Sequence, residues 1–396
     1  MFRAQCCAVV GFGLMLAAAS TEARELEFSV ENRITGDSNV FRSESDRVAD
    51  GYYSLAPRIV VREDNSKLNY EFSYRPTYET YFETSGIDGF DHWGKGVLSW
   101  RPTAVDTVGF SAQIISSRRL RFEDQAGPGG SVEETDRDRV QRSDVELSYR
   151  RALNQAFSIQ LSGTFNDYDY SSDRNLDSRA YSSELGMQYA FNAITGVGLS
   201  GSFLRRENSG VGFQITTDTD IWNVAASVQR ALTPTLKVSV QAGPSFISTK
   251  QKLAGLDTTS RTTSYFAAAS IDKSWRRSNA RASYSRAEGS GGSDASTSIT
   301  DNLTLTFDHH LSRRWSFRVL GSWLQSEEIS RAIANEQETT QYRVSARFLR
   351  NFTRQLSVVG KFSFFFQDQE GFGSSDIGSL YSGFLSLRYT FEPVVF

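Results

Sequence analysis

From residue 26 to the C-terminus, apolar and polar side chains alternate with a period of two, and helical periodicity is nearly absent. Leu68, Tyr70, Phe72, Tyr74, Pro76 and Tyr78 fall on one face of an extended segment, with Asn69, Glu71, Ser73 and Arg75 on the other. Phe157, Ile159, Leu161, Gly163 and Phe165 oppose Ser158, Gln160, Ser162 and Thr164 in the same way. The pattern returns at Leu303, Leu305, Phe307, His309 and Leu311, and at Leu356, Val358, Gly360, Phe362, Phe364 and Phe366. It ends with Tyr381, Gly383, Leu385, Leu387, Tyr389 and Phe391.

The alternation predicts about 18 strands of roughly 9–13 residues, the length with which a tilted strand crosses a bilayer. Their spans are 25–34, 51–63, 67–80, 92–101, 106–120, 140–151, 156–167, 179–191 and 197–206 in the first half. In the second half they are 219–231, 236–247, 262–274, 279–287, 299–310, 314–325, 339–350, 355–367 and 380–391. Short connections (63–66, 102–105, 152–155, 192–196, 232–235, 275–278, 311–313, 351–354) alternate with longer ones rich in Gly, Ser and Asp, such as 35–50, 122–139, 166–178, 248–261 and 288–298. Short turns at one end and long loops at the other describe an all-β, transmembrane, up-and-down antiparallel barrel of the outer-membrane type. An even strand number places both ends of the chain on the periplasmic side.

A repeat marks the short turns. Leu153-Asn-Gln-Ala-Phe157-Ser, Leu232-Thr-Pro-Thr-Leu236-Lys, Leu311-Ser-Arg-Arg-Trp315-Ser and Phe352-Thr-Arg-Gln-Leu356-Ser share one form: apolar, polar, two variable residues, apolar, polar. A hairpin period near 40 also suits a soluble propeller, but no Gly-His…Trp-Asp signature is present and propeller strands are shorter. Tryptophan placement favours the barrel. Trp100, Trp275 and Trp315 fall near periplasmic strand ends and Trp93, Trp222 and Trp323 near extracellular ones, as two aromatic girdles would. Pro57, Pro76 and Pro244 lie inside predicted strands, where each removes a ladder hydrogen bond. Bulges are expected there, or strand limits displaced from those above.

Charge narrows the function. The 396 residues carry 43 Lys+Arg against 46 Asp+Glu, a balance that speaks against a nucleic-acid binder. Mean hydropathy is −0.40, and after the first twenty residues no apolar run reaches the length of a transmembrane helix. The N-terminus has the anatomy of a secretory signal peptide: Arg3, an apolar run from Cys6 to Ala19, then Thr21-Glu22-Ala23. Cleavage is expected after Ala23, with Ala19 the second possibility, so residues 1–23 are the signal and 24–396 the barrel. Removing Arg3 and Glu22 leaves the net charge unchanged. It also removes Cys6 and Cys7, the only cysteines, so thiol and disulfide chemistry is excluded from the mature chain.

An 18-strand barrel is too wide for side chains to fill, and a water channel is expected. The face opposite the apolar one includes Arg58, Arg62, Arg75, Arg101, Arg119, Arg150, Arg281, Arg318, Arg343, Arg347, Lys361 and Arg388, against Glu71, Asp144, Glu146, Glu184 and Asp272. That ratio predicts a positive lumen favouring anionic solutes. Individual arginines could equally brace the wall by pairing with acids. The acidic loop (Glu123, Asp124, Glu133, Glu134, Asp136, Asp138) reads as a solvated outer surface.

Catalytic signatures are missing: no His-Glu-x-x-His, Gly-x-Ser-x-Gly or P-loop occurs, and His92, His309 and His310 are the only histidines. His92 beside Asp91 is the single candidate for an outer-membrane enzyme, and a polar rim residue is the simpler reading. Asp167, Asp169, Asp173 and Asp177 are too loosely spaced to define a cation site. No enzyme, cofactor or metal is expected.

Asp37-Ser38-Asn39-Val40-Phe41-Arg42-Ser43, the tyrosine-rich strand over 68–81, and Asp91-His92 leading to Ser99-Trp100 stand in an order that resembles the β-barrel porins of bacterial exopolysaccharide and exosortase gene sets. The resemblance is strongest over residues 26–102 and one of architecture beyond. It implies an integral outer-membrane barrel through which a secreted polysaccharide leaves the cell, and the strand count and the expected absence of a plug or periplasmic domain before residue 25 agree with it. Its partners would be outer-membrane lipid, the polysaccharide or an anionic solute, and a periplasmic polysaccharide-export protein. It transfers no catalytic residue.

Overall fold

The computed structural model describes residues 24–40, 47–118, 139–171, 177–210, 215–253, 256–290, 297–328, 338–370 and 378–395. The expected signal segment 1–23 with Cys6 and Cys7, the acidic loop residues 123–138, Asp173, Arg119 and the terminal Phe396 lie outside them.

The first strands are β1 (Glu25–Asp37), β2 (Asp50–Asp64), β3 (Leu68–Tyr81), β4 (Gly89–Trp100), β5 (Asp106–Ser117) and β6 (Val140–Ala152). Then come β7 (Phe157–Tyr170), β8 (Asp177–Ala190), β9 (Thr195–Gly210), β10 (Ile215–Thr233), β11 (Leu236–Leu253) and β12 (Leu256–Ser274). The last are β13 (Ser278–Ser290), β14 (Thr297–His310), β15 (Trp315–Glu328), β16 (Glu338–Asn351), β17 (Leu356–Glu370) and β18 (Gly378–Thr390), with a two-residue β19 (Val394–Val395) after them. From β2 to β17, each pairs antiparallel with its sequence neighbours, and β1 closes the cylinder on β18. Every predicted span is occupied by a strand. The largest extensions are at the loop ends of β11 and β12, where Ser248–Leu253 and Leu256–Arg261 are mostly polar. Their backbones go on pairing where no apolar stripe remains to reveal them.

The turn repeat has a hydrogen-bond cause. Asn154 Oδ1 accepts the backbone N–H of Ala156 and Phe157, both at 2.8 Å. Ser312 Oγ does the same for Arg314 and Trp315, and Thr353 Oγ1 for Gln355 and Leu356. In these three turns the polar residue at the second position of the repeat replaces a backbone acceptor, and in the fourth Thr233 Oγ1 accepts only one backbone N–H, that of Thr235. Asn65 and Asn192 play the same part in turns outside the repeat.

The three prolines correct the expectation of bulges. The β2–β3 ladder is interrupted between Leu55↔Tyr78 and Ile59↔Tyr74, yet its register is the same on both sides, which sets Pro57 opposite Pro76. Two missing donors thus share one rung, and a single gap accommodates both. Pro244 sits in a similar gap between β10 and β11, again without a shift. There Gly243 is required, because a Cβ would lie 1.7 Å from the Val224 carbonyl oxygen. The register of that pair shifts instead at the turn, between Ala231 and Thr233.

At the closing seam β1 and β18 are paired from Ser29↔Thr390 to Asp37↔Ser382. Glu31, 8% exposed at its side chain, lies between two guanidinium groups: Arg33 Nη2 donates to it at 2.8 Å, and Arg388 donates from the other strand. A second seam is open at its outer end. β12 pairs with β13 only over Ala267–Ser274, so among the described ladders Leu256–Phe266 has β11 as its sole neighbour.

Breaking a buried ion pair from one side costs about 3–5 kcal/mol, since the remaining charge loses its partner. Glu31→Gln is therefore expected to lower the unfolding midpoint of the detergent-solubilised barrel in urea, and Glu31→Asp to lower it less. The folded form is followed by its gel mobility without heating. An unchanged midpoint for Glu31→Gln would show that the seam does not depend on this carboxylate.

Candidate functional site

Residues opposite one another in an antiparallel ladder share a face. The face assignment carried around all the strands returns to β1 without conflict. One face bears Phe28, Ile34, Leu55, Ile59, Leu161, Leu199, Val240, Leu305, Val344 and Leu385, all exposed. It is the outer wall, and an exposed apolar belt around a closed barrel is the surface of an outer-membrane protein.

Aromatic pairs mark both edges of this belt. Tyr189–Phe191, Tyr389–Phe391 and Phe28–Phe391 lie at the short-turn end, with Trp100, Trp315 and, in the turn after β12, Trp275. Tyr78–Phe90, Phe165–Tyr181 and Phe203–Trp222 lie towards the loops, with Trp323. Two residues beyond, the same face turns polar: Asp167 after Phe165, Arg205 after Phe203, Asp220 beside Trp222 and Gln325 after Trp323. Trp93 is the exception to the expected girdle. It pairs with Arg75 on the inner face of β4, whereas Trp100, seven residues on, faces outward.

The same register puts Arg58, Arg62, Arg75, Arg150, Arg281, Arg318, Arg343, Arg347, Lys361 and Arg388 on the inner face. Arg101 lies in the periplasmic turn beyond β4, where its N–H donates to the Lys67 carbonyl. Alternation read strand by strand omitted Arg33, Lys95, Arg142, Arg206 and Lys237, which also face inward. It further omitted Glu25, Glu27, Glu31, Glu79, Asp91 and Asp308. The basic excess over the whole inner face is accordingly much smaller than twelve against five. All but Asp91 lie inside the predicted spans, where the same parity finds them.

Sign is instead sorted by sector. On β15–β17, Arg318 stands opposite Arg347 and Arg347 opposite Lys361, with Asp308 bonded to Arg318. On β2–β4, Arg58, Arg75 and Trp93 form a second such row. Like charges directly opposite repel, and each row has a carboxylate beside it: Asp308 on Arg318, and Glu71 at 3.7 Å from Arg58. Across the barrel, β8–β12 offer hydroxyls and amides, linked as Ser239–Ser270 (2.8 Å), Gln241–Ser200 (3.1 Å) and Thr219–Thr249 (3.4 Å). At the outer mouth Val40 of the first loop packs on the inward Tyr52 and Tyr81, whose rings lie 5.0 Å apart. The Asp37-Ser38-Asn39-Val40 stretch is thus part of the mouth lining. At the opposite end Arg276 and Arg277, Arg313 and Arg314, and Arg354 occupy three successive exposed turns and form a basic collar.

The enzymatic alternative loses its dyad. His92 faces outward, with its Nδ1 2.9 Å from the Tyr74 hydroxyl. Asp91 faces inward and accepts from Ser117 Oγ and the Arg118 N–H. Asp167 is committed to Arg179 and Asp177 to the Tyr170 N–H. No metal-holding group of acidic or histidine side chains occurs among the described residues.

No protein-family model matches the chain, and no curated protein matches it in sequence. Solved structures resemble its chain path. The Pseudomonas aeruginosa outer membrane protein opdK has a TM-score of 0.42 at 8% identity, covering 95% of this chain and 99% of its own. OccK2 (OpdF) of the same organism has 0.45 at 9%, covering 93% and 97%. The ferric-catecholate import receptor Fiu from E. coli K12 has 0.48 at 6%, covering 92% and 81%. The fold itself rests on the closed ladder described above.

Replacing Arg318, Arg347 and Lys361 together by Gln is expected to lower the chloride-over-potassium permeability of the reconstituted barrel, roughly by half at 0.1 M salt. The difference should shrink towards 1 M, where the screening length falls from about 10 to about 3 Å. A reversal potential unmoved at low salt would mean that this row does not set the field of the channel.

Proposed function

We propose that this chain is an aqueous outer-membrane conduit for export of an acidic exopolysaccharide. The observation that carries the reading is the division of the inner wall. A polyhydroxylated polymer can exchange hydrogen bonds with the serine, threonine and amide wall of β8–β12, while its carboxylates pass the basic rows of β15–β17 and β2–β4. Rows of separate, solvated charges suit transit better than one tight site would, because passage requires entry and release at each step.

The collar of Arg276, Arg277, Arg313, Arg314 and Arg354 suits an acidic surface on a periplasmic polysaccharide-export protein. Such a partner would hand the polymer to the barrel without needing its own membrane-spanning part. The barrel then supplies passage only, and the driving force comes from synthesis and the periplasmic partner.

Planar-bilayer recording tests this directly. Stepwise conductance is expected, with transient blockades when alginate is added on the short-turn side and fewer with neutral dextran of similar length. In cells, deletion of the gene should strand polymer in the periplasm. A barrel that never conducts, or a cation-selective one that alginate leaves unblocked, would overturn the proposal.

A further inference from the structure

We propose that Arg58, Arg75 and Trp93 form a lumenal subsite that binds one carboxylated sugar unit, a reading that rests on the conduit proposed above and gives it a specific contact. The starting point is the position of Trp93. Indoles of membrane proteins gather at the lipid interface, where one edge is apolar and the other wet. Trp100, Trp222, Trp315 and Trp323 obey this on the outward register, and Trp275 is exposed in its turn. Trp93 alone is turned to the interior, half-buried, with no lipid to meet.

Its partner on β5 is the apolar Ile115, and the side towards β3 and β2 is cationic. Arg75 is its direct cross-strand partner, and the guanidinium carbon lies 5.4 Å from the ring centroid. Arg58 faces Arg75 across the register of β2 and β3, with its guanidinium carbon 6.0 Å from the same ring. Two like charges at one rung repel, and the carboxylate found beside Arg58 is Glu71, at 3.7 Å. Arg58 keeps about a third of its side chain (34%) open, while its Nε is buried with no hydrogen-bond partner among the described residues. The pair also lies inside the interrupted stretch of the ladder, one position from Pro57 and Pro76.

These groups match the two halves of a uronate. Planar guanidinium forks receive a carboxylate through paired N–H bonds. The indole offers a flat apolar face for the C–H side of a pyranose ring, and the ring hydroxyls remain free for water. A neutral sugar would meet the indole alone, and acetate the arginines alone.

Titrating an oligogalacturonate into the detergent-solubilised barrel while following tryptophan emission tests the subsite. A saturable change is expected in the wild type and none in Trp93→Phe, which retains the other indoles. Arg58→Gln/Arg75→Gln keeps the reporter and is expected to bind roughly tenfold more weakly, equivalent to about 1.4 kcal/mol; Arg58→Lys/Arg75→Lys should fall between. Maltohexaose and acetate should produce no change at the same concentrations. Unheated gel mobility shows whether each variant is folded. Unchanged wild-type emission, or a glutamine variant that titrates like the wild type, would overturn the proposal. Conductance without saccharide is read separately. A barrel that conducts but does not bind removes only the subsite, and one that binds but does not conduct removes only the conduit.

Discussion

Backbone amides and carbonyls in hydrocarbon have no water to bond, so a sheet placed there must leave no free edge. The rest of this structure follows from that constraint. Closing β18 on β1 gives every long strand two neighbours across the belt, and closure leaves only one assignment of faces consistent around the circle. Glu31, shared by Arg33 and Arg388, pins that last pairing with charge, whereas the strands of every other long pairing are joined directly by a turn or a loop. Once the seam is set, each side chain is committed to lipid or lumen, and a slip by one residue would exchange the two.

Most of the architecture was legible in the sequence because lipid imposes a strict period of two on the outer face. The limits of that legibility are equally physical. Trp93 and Trp100 are seven residues apart, and an odd separation on an unbroken strand cannot place both on one face. Proximity to a predicted rim suggested otherwise, and the parity available in the same residues was the better guide. Trp315 and Trp323, eight apart, do share the outer wall. The polar outer halves of β11 and β12 were invisible for the opposite reason: above the lipid, no rule of apolar alternation applies.

The interior teaches a related lesson about charge. Counting signs along the chain measured the lumen poorly, because acids such as Glu25 and Glu27 lie at a strand end and pair with Arg62. Position around the barrel matters more than the total. Asp308 offsets Arg318 within the row Arg318, Arg347 and Lys361, whereas Glu184, on β8 across the barrel, does not cancel the row's field through water. A chain of net charge −3 can thus present a cationic track to its contents.

The unmatched outer half of β12 carries a consequence for life at the cell surface. Leu256–Phe266 presents backbone donors and acceptors along an edge that β13 does not cover, which is the usual template for unwanted strand addition between molecules. Its sequence there is Asp257-Thr-Thr-Ser-Arg-Thr-Thr-Ser264, hydroxylated and charged, with no apolar stripe to glue a second chain in place. Water therefore competes well for every one of those groups. The taller side of the barrel can stand clear of the membrane as a wetted screen, keeping neighbouring barrels from zipping together through their edges.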